Sequence, residues 1–369
     1  MERHNAFSKS LYWLFEKLLS VKEIKNKDIS LPKKFLIVRQ HNQLGDLLSG
    51  VSLFRAIKET YPNSNITLIV SPFNYPGVIK NKFIDKTYIY NNRKIYNPFY
   101  LVKFIKLLRS GYDVTIVPVV VSISFTSNLI ARIAKSNIRI GCSSLDGKKN
   151  TSYFFFDRRV KLDWRKHPDA NVSERSLDIV RPFGINTQNF KSEISFDESD
   201  IMTADIFLKA NYFTKKNIII GLHVGAGKIP NRWSLLKFIE LIEQLHKFYK
   251  AKFYLTCSTA DTNVVNFIKN NSKISLAVFM NKKITEVAAL IEKSDLFISN
   301  DTGIMHVAGT TNTAQISIFG PTNPFNWAPI GENKLFIRKS EIIDDISVKD
   351  VYDHCELLLA KNEKVKEIV

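Results

Sequence analysis

Short apolar runs alternate with amphipathic stretches along most of this chain. Such runs are typical of strands buried in a parallel sheet, whereas apolar residues three and four positions apart indicate helices. A regular alternation of strand and helix predicts an open sheet with helices on both faces. The predicted strands of the first half are 35–38, 66–70, 114–121 and 138–141, and its predicted helices are 50–59, 103–108 and 128–134.

The alternation is lost over residues 142–200, which are rich in charge, and we predict a connecting region there. Beyond it the pattern resumes. A chain of 369 residues exceeds the usual size of one core, so we expect two domains, 1–200 and 201–369. The predicted fold is α/β, with two doubly wound Rossmann-like domains facing a central cleft. In the second half we predict strands at 218–222, 252–256, 274–276, 296–298 and 315–318, a helix at 235–248 and a C-terminal helix within 345–367.

Positive charge is concentrated in the first half of the chain. Residues 1–200 hold 32 lysines and arginines against 18 acidic residues, whereas residues 201–369 hold 21 against 17. A positive field raises the local concentration of anionic partners such as nucleic acid, acidic lipid or a phosphorylated glycan. The alternative is a solvated basic surface without a dedicated partner.

The remaining composition predicts a cytoplasmic protein. Cys142, Cys257 and Cys355 are widely spaced and odd in number, which is typical of reduced thiols rather than of disulfides or a zinc site. No apolar run is long enough to span a bilayer, and the N-terminus lacks the features of a signal peptide. Residues 1–30 instead contain an amphipathic, basic helical pattern. This helix would lie in a membrane interface or pack against the protein's own core.

Asp46 is the first candidate for chemistry. It follows Gly45 in a turn after the first predicted strand, at the sheet edge where open α/β folds bind ligands. Gly45 permits a tight turn, and a carboxylate at this place could accept a proton from a hydroxyl nucleophile. The alternative is that Asp46 is the N-cap of the following helix.

A glycine-containing turn follows the first predicted strand of the second half. Gly225 and Gly227 would let the backbone approach a ligand closely, and Lys228 and Arg232 add positive charge. The turn matches neither a Walker loop nor the Gly-x-Gly-x-x-Gly dinucleotide motif. Arg232 could alternatively pack on the neighbouring Trp233.

A third turn, at 299–303, links a strand to a short helix that carries His306. Free backbone N–H groups at a helix start suit a phosphate, and Asp301, Thr302 and Gly303 occupy that position. His306 lies one turn into the helix, where it would contact the same ligand. A single histidine on a helix is more often structural, and that alternative stays open.

Together the three turns resemble the motifs of glycosyltransferase family 9, the heptosyltransferases. Residues 39–57 are similar to its strand–x-x-x-Gly-Asp–helix signature, and residues 223–233 to its His-Pro-Gly-Ala…Lys-Arg-Trp segment. Residues 300–306 and 319–329, which read Asn-Asp-Thr-Gly-Ile-Met-His and Phe-Gly-Pro-Thr…Trp-Ala-Pro, are similar to its most diagnostic block. The motifs follow the order of the family.

The resemblance implies a GT-B fold with an acceptor-binding N-terminal domain and a nucleotide-sugar-binding C-terminal domain. It implies inverting transfer of a heptose from ADP-heptose to the inner core of lipopolysaccharide or lipooligosaccharide, without a metal or other cofactor. The acceptor would be phosphorylated, acidic and lipid-linked, such as Kdo–lipid A or an extended core. The cytoplasmic face of the inner membrane is then a candidate partner, and the basic first half fits such a location.

The resemblance also assigns roles to individual residues. Asp46 matches the proposed catalytic base of the family, and Asp261 falls near its acidic ribose-binding position. Asn231 stands where the family usually has lysine, and Val224 where it has proline, so the donor sugar stays open. The residues expected at the donor are Gly225, Gly227, Lys228, Arg232, Asp261, Asp301, Thr302, Gly303 and His306, with Gly45 and Arg39 expected at the acceptor.

Three other functions remain compatible with the sequence. The same fold could transfer a different nucleotide sugar to a cell-surface glycan, or could epimerise a sugar nucleotide without an acceptor. The chain could also be a non-catalytic module that binds glycan or nucleic acid. Asp46 in its turn disfavours a non-catalytic module, and we expect no nucleic-acid partner.

Overall fold

The computed structural model describes residues 6–41 and 43–366, apart from the side chains of residues 6–12, 363 and 366. Part of the amphipathic pattern predicted within residues 1–30 therefore lies outside the described side chains. Contacts divide the chain into two compact units, Met1–Phe190 and Lys191–Val369. The sequence prediction put this division at residue 200.

The strands of the first unit are β1 (Lys34–Arg39), β2 (Asn65–Val70), β3 (Lys86–Ile89), β4 (Tyr112–Ile116), β5 (Ser136–Leu145), β6 (Lys148–Lys149) and β7 (Arg158–Leu162). They form one sheet in the order β3-β2-β1-β4-β5, with β6 and β7 both paired to β5. The pairs are parallel except for β5 with β6. Parallel neighbours need crossover connections, which here carry the helices.

The helices of the first unit are α1 (Ala6–Leu19), α2 (Leu44–Ser49), α3 (Val51–Thr60), α4 (Pro98–Leu108), α5 (Phe125–Ile133) and α6 (Val172–Arg175). Side chains of a strand alternate between the two faces of a sheet. Phe35 and Ile37 of β1 accordingly pack in the cluster that includes α2 and α3. Leu36 and Val38 pack in the cluster that includes α4 and α5.

The N-terminal helix packs on the first unit through only part of its surface. Phe15 of α1 packs on Phe125 of α5, with 5.7 Å between the ring centroids. Trp13, Leu14 and Leu18 are exposed. One side of α1 therefore contacts the protein's own core, and the other leaves apolar side chains in solvent.

The prediction of a connecting region over residues 142–200 is wrong for much of its length. β5 continues to Leu145, and β7 pairs with it. Leu177 and Val180 are fully buried in the core of the first unit. The charged residues of this region suggested an exposed connection, but some of them are paired inside the fold. Asp157, for example, lies 3.1 Å from Arg158.

Gly50 separates the predicted helix 50–59, which is α3, from α2, a helix that the sequence did not predict. Its N–H donates to the carbonyl of Leu47 and ends α2, and the same residue is the N-cap of α3. A Cβ at this position would lie 3.3 Å from the Leu47 carbonyl oxygen. The helical segment consequently begins at Leu44, before the predicted start, and Gly45 and Asp46 belong to it.

The strands of the second unit are β8 (Ile219–His223), β9 (Lys252–Cys257), β10 (Leu276–Met280), β11 (Leu296–Asn300), β12 (Ala314–Ile318) and β13 (Lys334–Ile337). They form a parallel sheet in the order β10-β9-β8-β11-β12-β13. The predicted strand 274–276 is displaced to β10, and β13 was not predicted.

The helices of the second unit are α7 (Glu198–Ala210), α8 (Leu235–Tyr249), α9 (Thr262–Asn271), α10 (Ile284–Glu292), α11 (Gly303–Gly309), α12 (Pro324–Trp327), α13 (Val348–Leu359) and α14 (Glu363–Lys366). The predicted C-terminal helix is thus interrupted after Leu359. Lys364 joins this segment to the sheet, because its Nζ lies 2.8 Å from Asp295 Oδ2 just before β11.

Both sheets reverse their strand order beside their first strand. The reversal falls between β1 and β4 in the first unit and between β8 and β11 in the second. In open α/β sheets, ligands bind beyond the carboxyl ends of the strands at such a point. Across the described residues, no helix has the length and apolar character needed to cross a membrane.

Candidate active site

Asp46 lies just beyond the carboxyl end of β1 with a buried carboxylate. Its Oδ2 is 3.2 Å from Nη2 of Arg39, and the two residues are 6% and 5% exposed. Gln43, not Asp46, is the N-cap of α2, so the capping alternative is wrong. Burial raises the pKa of the Asp46 carboxyl above its ordinary value, and the Arg39 cation opposes that rise.

The loop around Asp46 is held by polar contacts on both sides. Nη1 of Arg39 lies 3.3 Å from Nδ1 of His41, whose pKa is lowered by burial and by the Arg39 charge. A neutral His41 can accept this hydrogen bond. Gln40 Nε2 donates to Ser124 Oγ at 3.1 Å and ties the loop after β1 to the start of α5. Arg39, expected at the acceptor, is thus engaged with Asp46.

In the second unit, Asn300 at the end of β11 holds the loop after β8 at both ends. Its Nδ2 donates to the Val224 carbonyl at 2.9 Å, and its Oδ1 accepts from the Trp233 N–H at 3.2 Å. Trp233 is itself buried, and its indole N–H donates to the carbonyl of Ile346 at 2.9 Å. The loop is therefore fixed before any ligand contacts it.

Arg232 and Lys228 bring positive charge to this loop. Both side chains are exposed. Arg232 donates from Nε to the carbonyl of Ala226 at 2.8 Å. The indole of Trp233 packs on Phe238 instead, with 4.8 Å between centroids. The guanidinium is consequently anchored to the glycine-containing turn.

Gly225 allows the loops after β8 and β9 to approach each other. A Cβ at Gly225 would lie 2.6 Å from Oδ1 of Asp261, whereas one at Gly227 would meet nothing within 4 Å. The other oxygen of Asp261 accepts from the N–H and the hydroxyl of Ser258, at 2.9 and 2.8 Å. The sequence-predicted residues Gly225 and Asp261 therefore lie side by side.

Asp301 is paired with a neutral amide. Nδ2 of Asn231 donates to Asp301 Oδ2 at 2.9 Å, and no partner for the buried Oδ1 of Asn231 exists within the described residues. Burial raises the pKa of the Asp301 carboxyl, while a hydrogen bond with Thr322 and the charge of Lys228 oppose the rise. The site therefore brings together Asp301, Asn231 and Lys228.

Thr302 and Gly303 lie at the start of α11, both half-buried. The hydroxyl of Thr302 accepts from the N–H of Ile304 at 3.0 Å, which caps the helix. The N–H of Ile304 is one of the backbone groups that the sequence analysis expected to bind a phosphate, and here the Thr302 side chain accepts its hydrogen bond.

His306 faces the interior rather than an open site. Burial lowers its pKa to about 4, so its imidazole is neutral near pH 7. The ring meets the edge of Trp327, with 6.2 Å between centroids. A Cβ at Gly309 would lie 2.5 Å from Pro329, so the segment with Trp327 and Pro329 packs closely on α11. This geometry favours the structural alternative for His306.

His223 is a candidate that the sequence analysis did not select. Its Nδ1 lies 2.8 Å from the Thr256 carbonyl, and burial lowers its pKa, so the neutral ring donates there. The other ring nitrogen lies on the side of Gly225 and Asp261. Its place at the last position of β8, in a motif already selected for its glycines, was the available signal. Among the described residues, no group of three or more His, Cys, Asp or Glu side chains is arranged to hold a metal.

Two Rossmann-like domains with polar loops at their switch points define the class. One holds a buried carboxylate, and the other holds glycines, exposed cations and a carboxylate. The protein is a glycosyltransferase with the GT-B fold. The family model described as "Glycosyltransferase family 9 (heptosyltransferase)" matches residues 101–352, and the chain belongs to this family.

Known relatives agree with this assignment. The chain is 24% identical over 328 residues to lipopolysaccharide heptosyltransferase 3 of Escherichia coli, covering 86% of this chain and 92% of the relative. A glycosyl transferase family 9 structure from Veillonella parvula matches with a TM-score of 0.80 at 18% identity, covering 91% and 100% of the two chains. The E. coli ADP-heptose heptosyltransferase II structure matches with a TM-score of 0.73 at 19% identity, covering 89% and 99%.

Proposed function

We propose that this protein transfers a heptose from ADP-heptose to the inner core of lipopolysaccharide or lipooligosaccharide, with inversion at the anomeric carbon. The observation that carries the proposal is the buried Asp46 carboxylate at the switch point of a family 9 chain. The E. coli relatives bear names that specify lipopolysaccharide and ADP-heptose. Family membership and site chemistry thus support the same reaction.

Asp46 is the proposed general base. It takes the proton of the acceptor hydroxyl as the hydroxyl oxygen forms a bond to the anomeric carbon. The bond from that carbon to the diphosphate breaks, and ADP leaves with the electron pair. A carboxylate whose pKa burial has raised holds a proton better than an exposed one, which suits this task. Arg39 is then a positioning residue that acts through Asp46.

The donor is proposed to lie against the loops of the second unit. Gly227, where a Cβ would meet no atom within 4 Å, leaves space for the diphosphate next to the backbone, and Lys228 and Arg232 counter its charge. Gly225 brings this loop close to Asp261. Asp261 would accept a hydrogen bond from a ribose hydroxyl. The remaining proposed contacts with the diphosphate and sugar are Asp301, Thr302 and Gly303. Two side-chain cations in this loop support transfer without a metal ion.

The acceptor is proposed to be a phosphorylated, acidic, lipid-linked saccharide such as Kdo–lipid A or an extended core. The first unit supports this choice, since it holds 31 lysines and arginines against 14 acidic residues. An acceptor of this kind lies in a membrane, so we propose a cytoplasmic enzyme bound peripherally to the inner membrane. A positive surface favours such a location near anionic lipid.

Asn231 supports a second candidate, transfer of another nucleotide sugar. An amide pairs with Asp301 where the family usually has a lysine, so the donor site contains one cation fewer. The loss of this charge changes which sugar and diphosphate geometry the loop holds best. Lys228 is near enough to influence the pKa of Asp301 and offsets part of that loss.

The deciding experiment is incubation with ADP-heptose and a truncated Kdo–lipid A acceptor in the presence of EDTA. The expected result is a mass gain of one heptose on the acceptor. Nucleotide release that occurs only in the presence of acceptor would exclude an epimerase. The alternative outcome is a folded protein that gives no product with ADP-heptose but transfers sugar from a UDP- or GDP-sugar. That result would identify the other nucleotide sugar as the donor.

A further inference from the structure

Helix α4 has an apolar side that the fold does not use. Phe104, Leu107 and Leu108 face the sheet and are buried in its core. On the outer side Phe99 is 85% exposed and Val102 is 68% exposed, and Leu101, Ile105 and the preceding Tyr96 are exposed too. Single exposed apolar residues are ordinary, but five within ten residues form a patch.

The same segment is exclusively basic. Between Asp85 and Asp113 the sequence contains six lysines and arginines and no acidic residue. All six cations are exposed, and none forms an ion pair within the described part of the chain. The bordering acids are engaged elsewhere, since Asp85 pairs with Lys58 at 2.7 Å and Asp113 accepts from backbone N–H groups. The six are Lys86, Arg93, Lys94, Lys103, Lys106 and Arg109.

The start of α4 is stabilised by residues of the segment itself. Asn97 caps α4 by accepting from the N–H of Tyr100 at 3.1 Å, and Pro98 occupies the first turn. The outer apolar side chains are therefore not needed to form the helix. A helix with exposed aromatic and aliphatic side chains among lysines is typical of a segment that lies in a membrane interface.

Helix α1 packs on the same layer of helices. Both α4 and α5 cover one face of the first sheet, and α1 packs on α5 through Phe15. Its exposed Trp13 and Leu18 accompany Lys17, which lies over the Trp13 ring at 5.2 Å. The layer thus presents apolar and basic groups from two helices.

Helix α7 also exposes apolar side chains, but it lacks the basic surroundings of α4. Met202 and Ile206 are 63% and 62% exposed on its outer side. Their neighbours along the groove on this helix are Glu198, Asp205 and Lys209. Mixed charge of this kind gives no attraction to an anionic bilayer, so α7 provides a matched control within the same chain.

We propose that the outer side of α4 docks on an anionic lipid bilayer. Phe99, Val102 and Tyr96 enter the boundary between headgroups and acyl chains, while the lysines and arginines contact lipid phosphates. Charge complementarity selects this occupant over a neutral surface. The inference specifies the surface for the proposed membrane location and uses no residue of the candidate active site.

The test is co-sedimentation of the full chain with phosphatidylcholine vesicles, with and without phosphatidylglycerol at about one third of the lipid. We expect binding only to the anionic vesicles and its loss at about 0.5 M salt. Replacing Lys94, Lys103 and Lys106 by Gln together should lower the partition coefficient on the order of 100-fold. Phe99→Ser with Val102→Ser should lower it on the order of 10-fold or more.

Met202→Ser with Ile206→Ser is the control and should bind anionic vesicles like the unmodified protein. Circular dichroism verifies that each variant is folded. Equal binding to neutral and anionic vesicles, or unchanged binding by the α4 variants, would overturn the inference. If the α4 variants altered the sedimentation mass of the protein but not vesicle binding, the surface would be a contact between copies.

Transfer to a deacylated, water-soluble acceptor separates this inference from the proposed function. The α4 variants should keep that activity while they lose vesicle binding, which would support the docking surface. A protein that binds vesicles through α4 yet transfers no sugar would contradict the proposed function and leave the docking surface standing.

Discussion

The two units share one strand order but use their switch points differently. After β1, the first unit buries a charged pair, Arg39 and Asp46. After β8, the second unit holds its loop with uncharged groups, the amides of Asn300 and Asn231. A buried carboxylate suits proton transfer, whereas an anchored backbone loop suits a ligand of fixed shape. Topology thus determines where a site forms, and the residues there determine its chemistry.

The two units also differ in net charge. The first unit holds 31 lysines and arginines against 14 acidic residues, and the second holds 22 against 21. The excess of cations in the first unit is consistent with the phosphorylated, acidic acceptor proposed above.

Asp46→Asn should have the largest effect on transfer. We expect the rate to fall by about 100-fold or more, since a general base commonly contributes that much. Donor affinity, measured by calorimetric titration with ADP, should stay unchanged because its contacts lie in the second unit. Glu59→Gln, at an exposed carboxylate on α3, is the control and should retain full activity. A normal rate for Asp46→Asn would place the base elsewhere.

Arg39→Met tests how the first unit tunes its carboxylate. The Arg39 cation opposes the rise in the pKa of Asp46, so its removal raises that pKa further. Because the base must be deprotonated, the acidic limb of the rate profile should move to higher pH. An unpaired buried carboxylate should also cost about 3 kcal/mol in the free energy of unfolding. An unshifted limb with a raised acceptor KM would make Arg39 an acceptor contact instead.

Gly225→Ala tests the second unit in a comparable way. Its Cβ would lie 2.6 Å from Asp261 Oδ1, so one of the two loops must move. We expect the donor KM to rise about 10-fold, which corresponds to about 1.4 kcal/mol, with little change in kcat. The Cβ of Gly227→Ala would meet no protein atom within 4 Å, so this change should leave the free energy of unfolding unaltered and act only where the diphosphate lies. An unchanged donor KM in Gly225→Ala would contradict the proposed contact between the two loops.

His306→Gln should have the smallest effect on transfer at pH 7, because the imidazole packs inside against Trp327. Its folded pKa of about 4 lies below the ordinary value of 6.5, so the unfolded chain binds the extra proton between these values. The free energy of unfolding should therefore fall by about 2–3 kcal/mol as pH falls from 6.5 to 4. Urea unfolding across this range measures it, and the Gln variant should lack this contribution. A large loss of donor affinity at pH 7 would instead make His306 a ligand contact.

The sequence predicted the features that depend on local pattern. β1 and β8 are apolar runs that end in polar turns. Strands of a parallel sheet are buried on both faces, so they can be recognised in the sequence as continuous apolar runs. The GT-B fold and family membership are confirmed. Asp46 was selected because a Gly-Asp turn follows a buried strand, which is also a local feature.

The sequence did not predict features that depend on distant partners. β13 is short and half-buried, and its Lys334 is placed by donating to the carbonyl of Ala308. The burial of His306 depends on Trp327, and the pairing of Arg39 depends on how α2 turns after β1. Tertiary packing decides these positions, and no local pattern encodes them.

The hydrogen bond from Trp233 to Ile346 has a consequence for synthesis on the ribosome. The two residues are 113 positions apart, so the donor loop lacks this anchor until Ile346 has been translated. At roughly 5–20 residues per second, the delay is on the order of ten seconds. During that interval the first unit, already complete in sequence, can fold. Until then the Trp233 indole N–H lacks its acceptor, so the loop after β8 can reach its final geometry only late in synthesis.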